Sequence, residues 1–197
     1  MQREIRAQYT SDSITVYQAY PLEIAAPALK AGTFVPPFKF DRMTWIKPSF
    51  LWMMYRCGWA SKPNQERVLR ITITREGFEW ALSRSCLSGF DPEVYSDRER
   101  WRSTLKESPV RIQWDPDRDV HLAPQPHRAI QIGLSGESVG KYVNEWITSV
   151  EDVTPLAKRI HKAVAGNDVG LATEMLPSEK VYPLSARLRA VIGASST

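Results

Sequence analysis

The chain is poor in the residues that staple or metallate a small protein. Two cysteines, Cys57 and Cys86, and three histidines stand among 197 residues. Two cysteines cannot build a disulfide framework, and no Cys/His spacing fits a metal site, so no metal is expected. Both cysteines read as small buried hydrophobes. No apolar run reaches the roughly 20 residues of a membrane helix, and "MQREIRAQYT" lacks the apolar stretch of a signal peptide. The chain therefore reads as soluble, intracellular and cytoplasmic, with no membrane partner. Repeats, low-complexity segments and blocks of like charge are also missing. Neither a G-x-S-x-G elbow nor a Walker loop occurs, and His121, His127 and His161 show no nucleophile–base spacing. "DPDRD" has neither the Gly nor the distal Glu of a calcium loop and reads as a turn.

What is present suits one domain. The hydrophobic fraction is 43%, enough to bury a core. The expected division is an α+β core over 1–165 and a C-terminal helical extension with a frayed tail over 166–197. The net charge of +4 and a pI of about 9.1 permit a nucleotide or RNA partner without demanding one.

Periodicity gives most elements. "REIRAQY" reads as a short polar helix or arm. "SITVYQAY" reads as a strand with Ile14, Val16, Gln18 and Tyr20 on one face. "PLEIAAPALKAG" reads as a helix opened by Pro21 and stopped by Gly32. "RMTWIK" and "RVLRITIT" read as strands, "PSFLWMMYRCG", "REGFEWALSRS" and "DRERWRSTLKES" as helices. "PVRIQW", "DPDRD" and "VHLAP" read as a hairpin, with "HRAIQIGL" a further strand. "SGESVGKYVNEWI" and "TPLAKRIHKAVAG" read as helices, the second capped by Thr154. Two short helices follow.

The stretch "RMTWIKPSFLWMMYRCGW" carries two patterns. Phe50, Met53, Met54 and Cys57 recur at helical spacing as a core stripe. Ser49, Trp52, Arg56 and Trp59 form a second stripe that joins aromatics to a guanidinium. Flat rings stack on bases, and Arg holds phosphate. Lys47 and Ser49 flank the helix N-terminus, a place where free N–H groups favour an anion. The alternative use of these charges is ordinary surface pairing.

Gln18, Gln113 and Gln131 lie within strands. A buried amide must satisfy both ends, so these are either cross-strand partners or the lining of a cleft. Arg111 and Arg128 alternate with apolar neighbours, which makes one face of each strand wet. Glu137 serves the first turn of its helix or acts as a carboxylate there. The candidate catalytic set is Gln18, Lys47, Arg56 and Gln131. The candidate ligand-binding set is Arg6, Tyr20, Arg42, Thr44, Trp45, Ser49, Trp52, Tyr55, Gln113 and Arg128.

"REIRAQY", "VYQAY", "FDRMTWIKPSFLWMMYR", "VRIQWDPDRD" and "RAIQIGL" together closely resemble the family catalogued as Domain of Unknown Function 4291, from about Arg3 to about Val164. "VYQAYPLEIAAPALKAGTF" is similar in layout to the first motif of ADP-ribosyltransferase-like proteins, including RNA 2′-phosphotransferases. That resemblance implies about six mostly antiparallel strands in a split, twisted sheet with flanking helices. It puts Gln18 where those proteins have His, Tyr55 or Trp52 at the ring-stacking aromatic, and Gln131 or Glu137 at the late polar residue. It implies NAD or a phosphorylated RNA end as ligand, with Arg and Lys carrying the chemistry. Without the chemistry, the same residues describe a nucleotide- or nucleic-acid-binding module. The Trp-rich face also suits a protein interface.

Overall fold

Strand pleating decides how the layers of this protein stack. The structure, a computed structural model, describes residues 2–195. The first part of the chain forms β1 (Arg6–Ala7), β2 (Ser13–Tyr20), α1 (Leu22–Ala31), β3 (Thr44–Ile46) and α2 (Phe50–Cys57). Next come β4 (Arg67–Thr74), α3 (Arg75–Ser83), β5 (Ser85–Leu87) and α4 (Arg98–Glu107). The long strands β6 (Val110–Arg118) and β7 (Pro124–Leu134) follow, then α5 (Glu137–Lys141), one π-helical turn (Tyr142–Trp146) and β8 (Ile147–Asp152). The chain ends in α6 (Thr154–Ala165), α7 (Val169–Glu174), β9 (Lys180–Val181) and α8 (Ala186–Ile192). Among the described residues no helix is long and apolar enough to cross a membrane.

The strands make three sheets. One has the order β2-β4-β8, the second β3-β7-β6-β5, and a two-stranded ribbon joins β1 to β9. Among the described residues, the named strands all pair antiparallel except β5 with β6. The class is α+β. Side chains alternate across a strand, so each large sheet has two faces. Ile14 and Val16 of β2, Leu69, Ile71 and Ile73 of β4, and Ile112, Ile130 and Ile132 of β6 and β7 enter one large core. Tyr17 and Val68 point the other way, into a smaller core with Phe50, Met53, Met54 and Cys57 of α2 and Ala157, Ile160 and Ala163 of α6. The stripe expected on α2 is therefore core, and Gly58 ends that helix at φ 60, in the left-handed region that a Cβ disfavours.

Several elements differ from the sequence expectation. "REIRAQY" contributes a strand, because Arg6 and Ala7 find Val181 and Lys180 as ladder partners 170 or more positions away. The Asp-Pro-Asp of "DPDRD" stays within β6, and the turn falls later, where Asp119 caps it by accepting from His121 N and Ala123 N. The strand "HRAIQIGL" is thus the second arm of that hairpin. The helix read through Ile147 ends at the π turn, since the β-branched "ITSVED" pairs with β4. Thr154 does not cap α6. Asp152 Oδ1 accepts from Thr154 N, while the Thr154 hydroxyl accepts from Val68 N. Beyond residue 166 the chain supplies buried Tyr182, Leu188 and Ile192 to the large core, and Trp114 Nε1 donates to Ile192 O at 2.7 Å.

Gly77 marks the tightest approach in this packing. A methyl group there would overlap the ring of buried Trp146. Ala gains about 1 kcal/mol over Gly in a helix, but overpacking a core costs about 1–3 kcal/mol. Urea denaturation should therefore find Gly77→Ala destabilised overall, and an unchanged or raised midpoint would show that Trp146 yields freely.

Candidate cationic cleft at the sheet seam

The two large sheets touch through one backbone bridge. Tyr17 N donates to Lys47 O at 2.8 Å and Lys47 N to Tyr17 O at 3.2 Å. Beside this seam lies a cavity of about 520 Å³. Its wall comes from the end of β2 (Gln18 to Tyr20), Arg42 to Trp45 and Lys47 in and around β3, Met53 and Arg56 of α2, Gln65, and Gln113 and Gln131 of the long hairpin.

Pleating explains this selection. Gln113 and Gln131 are directly paired across β6 and β7, and Trp45 is paired with Gly133, so these side chains share the face turned away from the large core. A Cβ on Gly133 would sit 2.8 Å from Met43 Sδ and 3.0 Å from the Trp45 ring. The glycine is what lets Trp45 and Met43 lie flat across the sheet. Both glutamine amides donate to one carboxylate, Gln113 to Asp115 Oδ1 at 3.0 Å and Gln131 to Asp115 Oδ2 at 2.8 Å. They are cross-strand partners and cleft lining at once.

Gln18 is 3% exposed and bonded at both ends. Its Nε2 donates to Thr44 Oγ1 at 2.6 Å and Tyr20 Oη at 2.9 Å, and its Oε1 accepts from Tyr142 OH at 2.8 Å. Burial raises the Tyr142 phenol well above its ordinary range and Tyr20 to about 12, so both stay neutral. Gln18 therefore ties β2, β3 and the π turn into one wall.

Lys47 is 5% exposed. Its Nζ donates to Trp45 O at 3.3 Å, and among the described residues no carboxylate lies within ion-pair distance of it. Loss of solvent, reinforced by the Arg56 charge, lowers its pKa to about 7.

The N-terminus of α2 differs from the expectation that it holds a ligand anion. The protein's own side chains fill it. Ser49 caps the helix by accepting from Trp52 N, and its hydroxyl donates to Asp117 Oδ1 at 2.9 Å. Phe50 N donates to Glu179 Oε1 at 2.7 Å. Asp117 also accepts from Arg118 N, and His127 Nε2 lies 3.2 Å from its Oδ2. Burial, together with the nearby Asp117 charge, raises the Glu179 carboxyl to about 8, against the opposing pull of the Phe50 N–H.

Five further residues stand away from the cavity wall. Trp52 stacks on Tyr55 at 5.1 Å between centroids, and the Arg118 guanidinium lies 3.6 Å from the Tyr55 ring centroid. On α2 the cleft side is set by Met53 and Arg56, one residue round the wheel from Trp52 and Tyr55. Arg128 has the opposite strand parity to Gln131, and its Nη1 donates to Trp114 O. Arg6 pairs with Glu4 at 2.8 Å. Glu137, at the start of α5, is exposed and outside the cavity wall. Sequence reasoning missed Met43, Met53, Gln65 and the bridging Asp115. The spacing Gln113–Asp115 on one strand face was the available signal for the last.

The fold and cleft define an α+β protein with a cationic, glutamine-lined pocket at a sheet seam. The chain matches the family described as Domain of unknown function (DUF4291) over residues 4–182 and belongs to it. No curated protein matches the chain.

The two shifted groups give opposite pH signatures. Glu179 holds its proton in the folded state up to about 8, well above its ordinary 4.5. Its contribution is full below about 4.5 and is lost as pH rises to about 8. Lys47 releases its proton near 7 when folded and 10.5 when unfolded, so its penalty is full below 7 and fades as pH rises toward 10.5. Denaturant unfolding across pH 5–10 should show Glu179→Gln flattening the lower slope and Lys47→Met the upper. Variant slopes equal to wild type would reject the assignments.

Proposed function

We propose that the cleft binds a phosphate-bearing nucleotide, NAD or a phosphorylated RNA end, and that the protein acts on it in the manner of ADP-ribosyltransferase-like proteins. The observation that carries this reading is the convergence of Arg42, Lys47 and Arg56 with Gln113 and Gln131 around one cavity. About 520 Å³ falls within the usual range for small-molecule sites, about 300–1,000 Å³. Arg42 and Arg56 are exposed on the wall, where their planar forks suit phosphate oxygens. Gln113, Gln131 and Thr44 suit ribose hydroxyls.

NAD, when bound, would supply the scissile bond between ribose and nicotinamide. The protein's part is to hold the pyrophosphate with Arg42 and Arg56 and, for a phosphorylated RNA end, to stabilise the charge of a departing phosphate by fixed cations. At the position where the resembling proteins have His, Gln18 shapes the wall by positioning Thr44 and Tyr20. That Gln18 is satisfied internally, and that Glu137 stands outside the wall, favours a second reading in which the same cleft binds a nucleotide without turnover.

Calorimetry with NAD, ADP-ribose, ATP and phosphorylated RNA oligonucleotides should find at least one ligand. Arg42→Ala or Arg56→Ala should each weaken it roughly tenfold, the worth of a charge-assisted hydrogen bond, and added salt should weaken it further. Heat from none of the four would overturn the proposal. Binding with no product by mass spectrometry would select the non-catalytic reading.

A further inference from the structure

Phosphate recognition leaves one group of the cleft unexplained. A lysine that serves only to hold phosphate works best exposed and protonated. A lysine that serves only structure is paired when buried. Lys47 does neither: it is 5% exposed, lines the cavity, and among the described residues its amine has only the Trp45 carbonyl at 3.3 Å as partner. Asp115, the carboxylate between the two glutamines, is engaged by both their amides. Arg56, on the same wall, opposes any positive charge on Nζ. The amine is carried on a backbone that the bridge to Tyr17 fixes at the seam.

Such an amine is the kind that reacts with carbonyl carbon. We propose that Lys47 forms an imine with a phosphate-bearing aldehyde, an aldose phosphate in its open-chain form, whose phosphate is held by Arg42 and Arg56. This rests on the phosphate-binding reading of the cleft. The class includes ADP-ribose, whose terminal ribose opens to the same C1 aldehyde. The lone pair of Nζ adds to C1 and the carbonyl electrons move to oxygen, which takes a proton from nitrogen. The resulting carbinolamine loses its hydroxyl with the remaining N–H proton as water. Amine and aldehyde give imine and water, with no oxidant or reductant.

The glutamine amides and the Thr44 hydroxyl suit the polyol that an aldose presents to such a wall, and the cavity has room for the open chain. Neutral amine is available near pH 7 because solvent is excluded and Arg56 is close. An ordinary surface lysine reaches that state only near pH 10.

The full-length protein is incubated with ribose 5-phosphate, ADP-ribose or unphosphorylated ribose in the presence of cyanoborohydride, which reduces the imine to a stable secondary amine. Intact mass and peptide mapping then locate the adduct. The expected result is one adduct, on Lys47, with ribose 5-phosphate at least tenfold faster than ribose, and a rate that rises through about pH 7. Lys47→Arg should abolish it. Adducts spread over exposed lysines with none preferred at Lys47, or equal rates with ribose and ribose 5-phosphate, overturn the proposal. Nucleotide calorimetry on untreated protein separates the two failures. Nucleotide binding without a Lys47 adduct rejects the imine alone, and the absence of both rejects the cleft reading as well.

Discussion

Two backbone hydrogen bonds between Tyr17 and Lys47 join the sheets on which everything else is hung. They set the angle at which the end of β2 meets β3, and so they create the notch beside the seam. The residues that meet there come from distant parts of the chain: β2, the β3 segment, α2 and the long hairpin. Tyr17 also packs edge-on against Phe50 at 5.3 Å. The residue that bridges the sheets thereby anchors the helix that roofs the notch. Because Lys47 is itself half of the bridge, the backbone from which its amine reaches the cleft is held by the joint.

The energetics of the notch run against simple stability. An amine stripped of water beside a cation, where its own charge is disfavoured, is an arrangement that folding alone would replace with an apolar side chain. The hydrogen-bonded wall of Gln18, Thr44, Tyr20 and Tyr142 and the Trp45–Gly133 contact hold the shape around it. A rigid wall that holds an ionisable group away from its ordinary protonation state is a common feature of reactive sites.

Much of this was legible in the sequence, and the misses have definite causes. The period-2 pattern of "SITVYQAY" and the stripe Phe50, Met53, Met54, Cys57 located β2 and α2 because each buries one face against a core. The glutamines announced themselves because amides are costly inside strands unless used. Arg128 was misplaced by ignoring parity: it and Gln131 differ by three positions and so face opposite sides of β7. The helical wheel joins Trp52 to Arg56, but a wheel shows sides and not which side meets a neighbour, and Tyr55 comes to the ligand only through the resemblance. The α2 N-terminus has the free N–H groups that favour an anion, yet a carboxyl of this chain that burial keeps protonated fills it. No local pattern tells that this partner is Glu179, 129 positions away. β1 was hidden for the same reason, since two residues make a strand only when β9 supplies the ladder.

The reach of Glu179 also sets an order in time. During synthesis the chain emerges from its N-terminus, and β2, β3 and α2 are available early. The first N–H of α2 is left without its carboxyl partner until residue 179 has been made. Until then the helix that carries Met53 and Arg56 into the cavity wall lacks one of the contacts that hold its start.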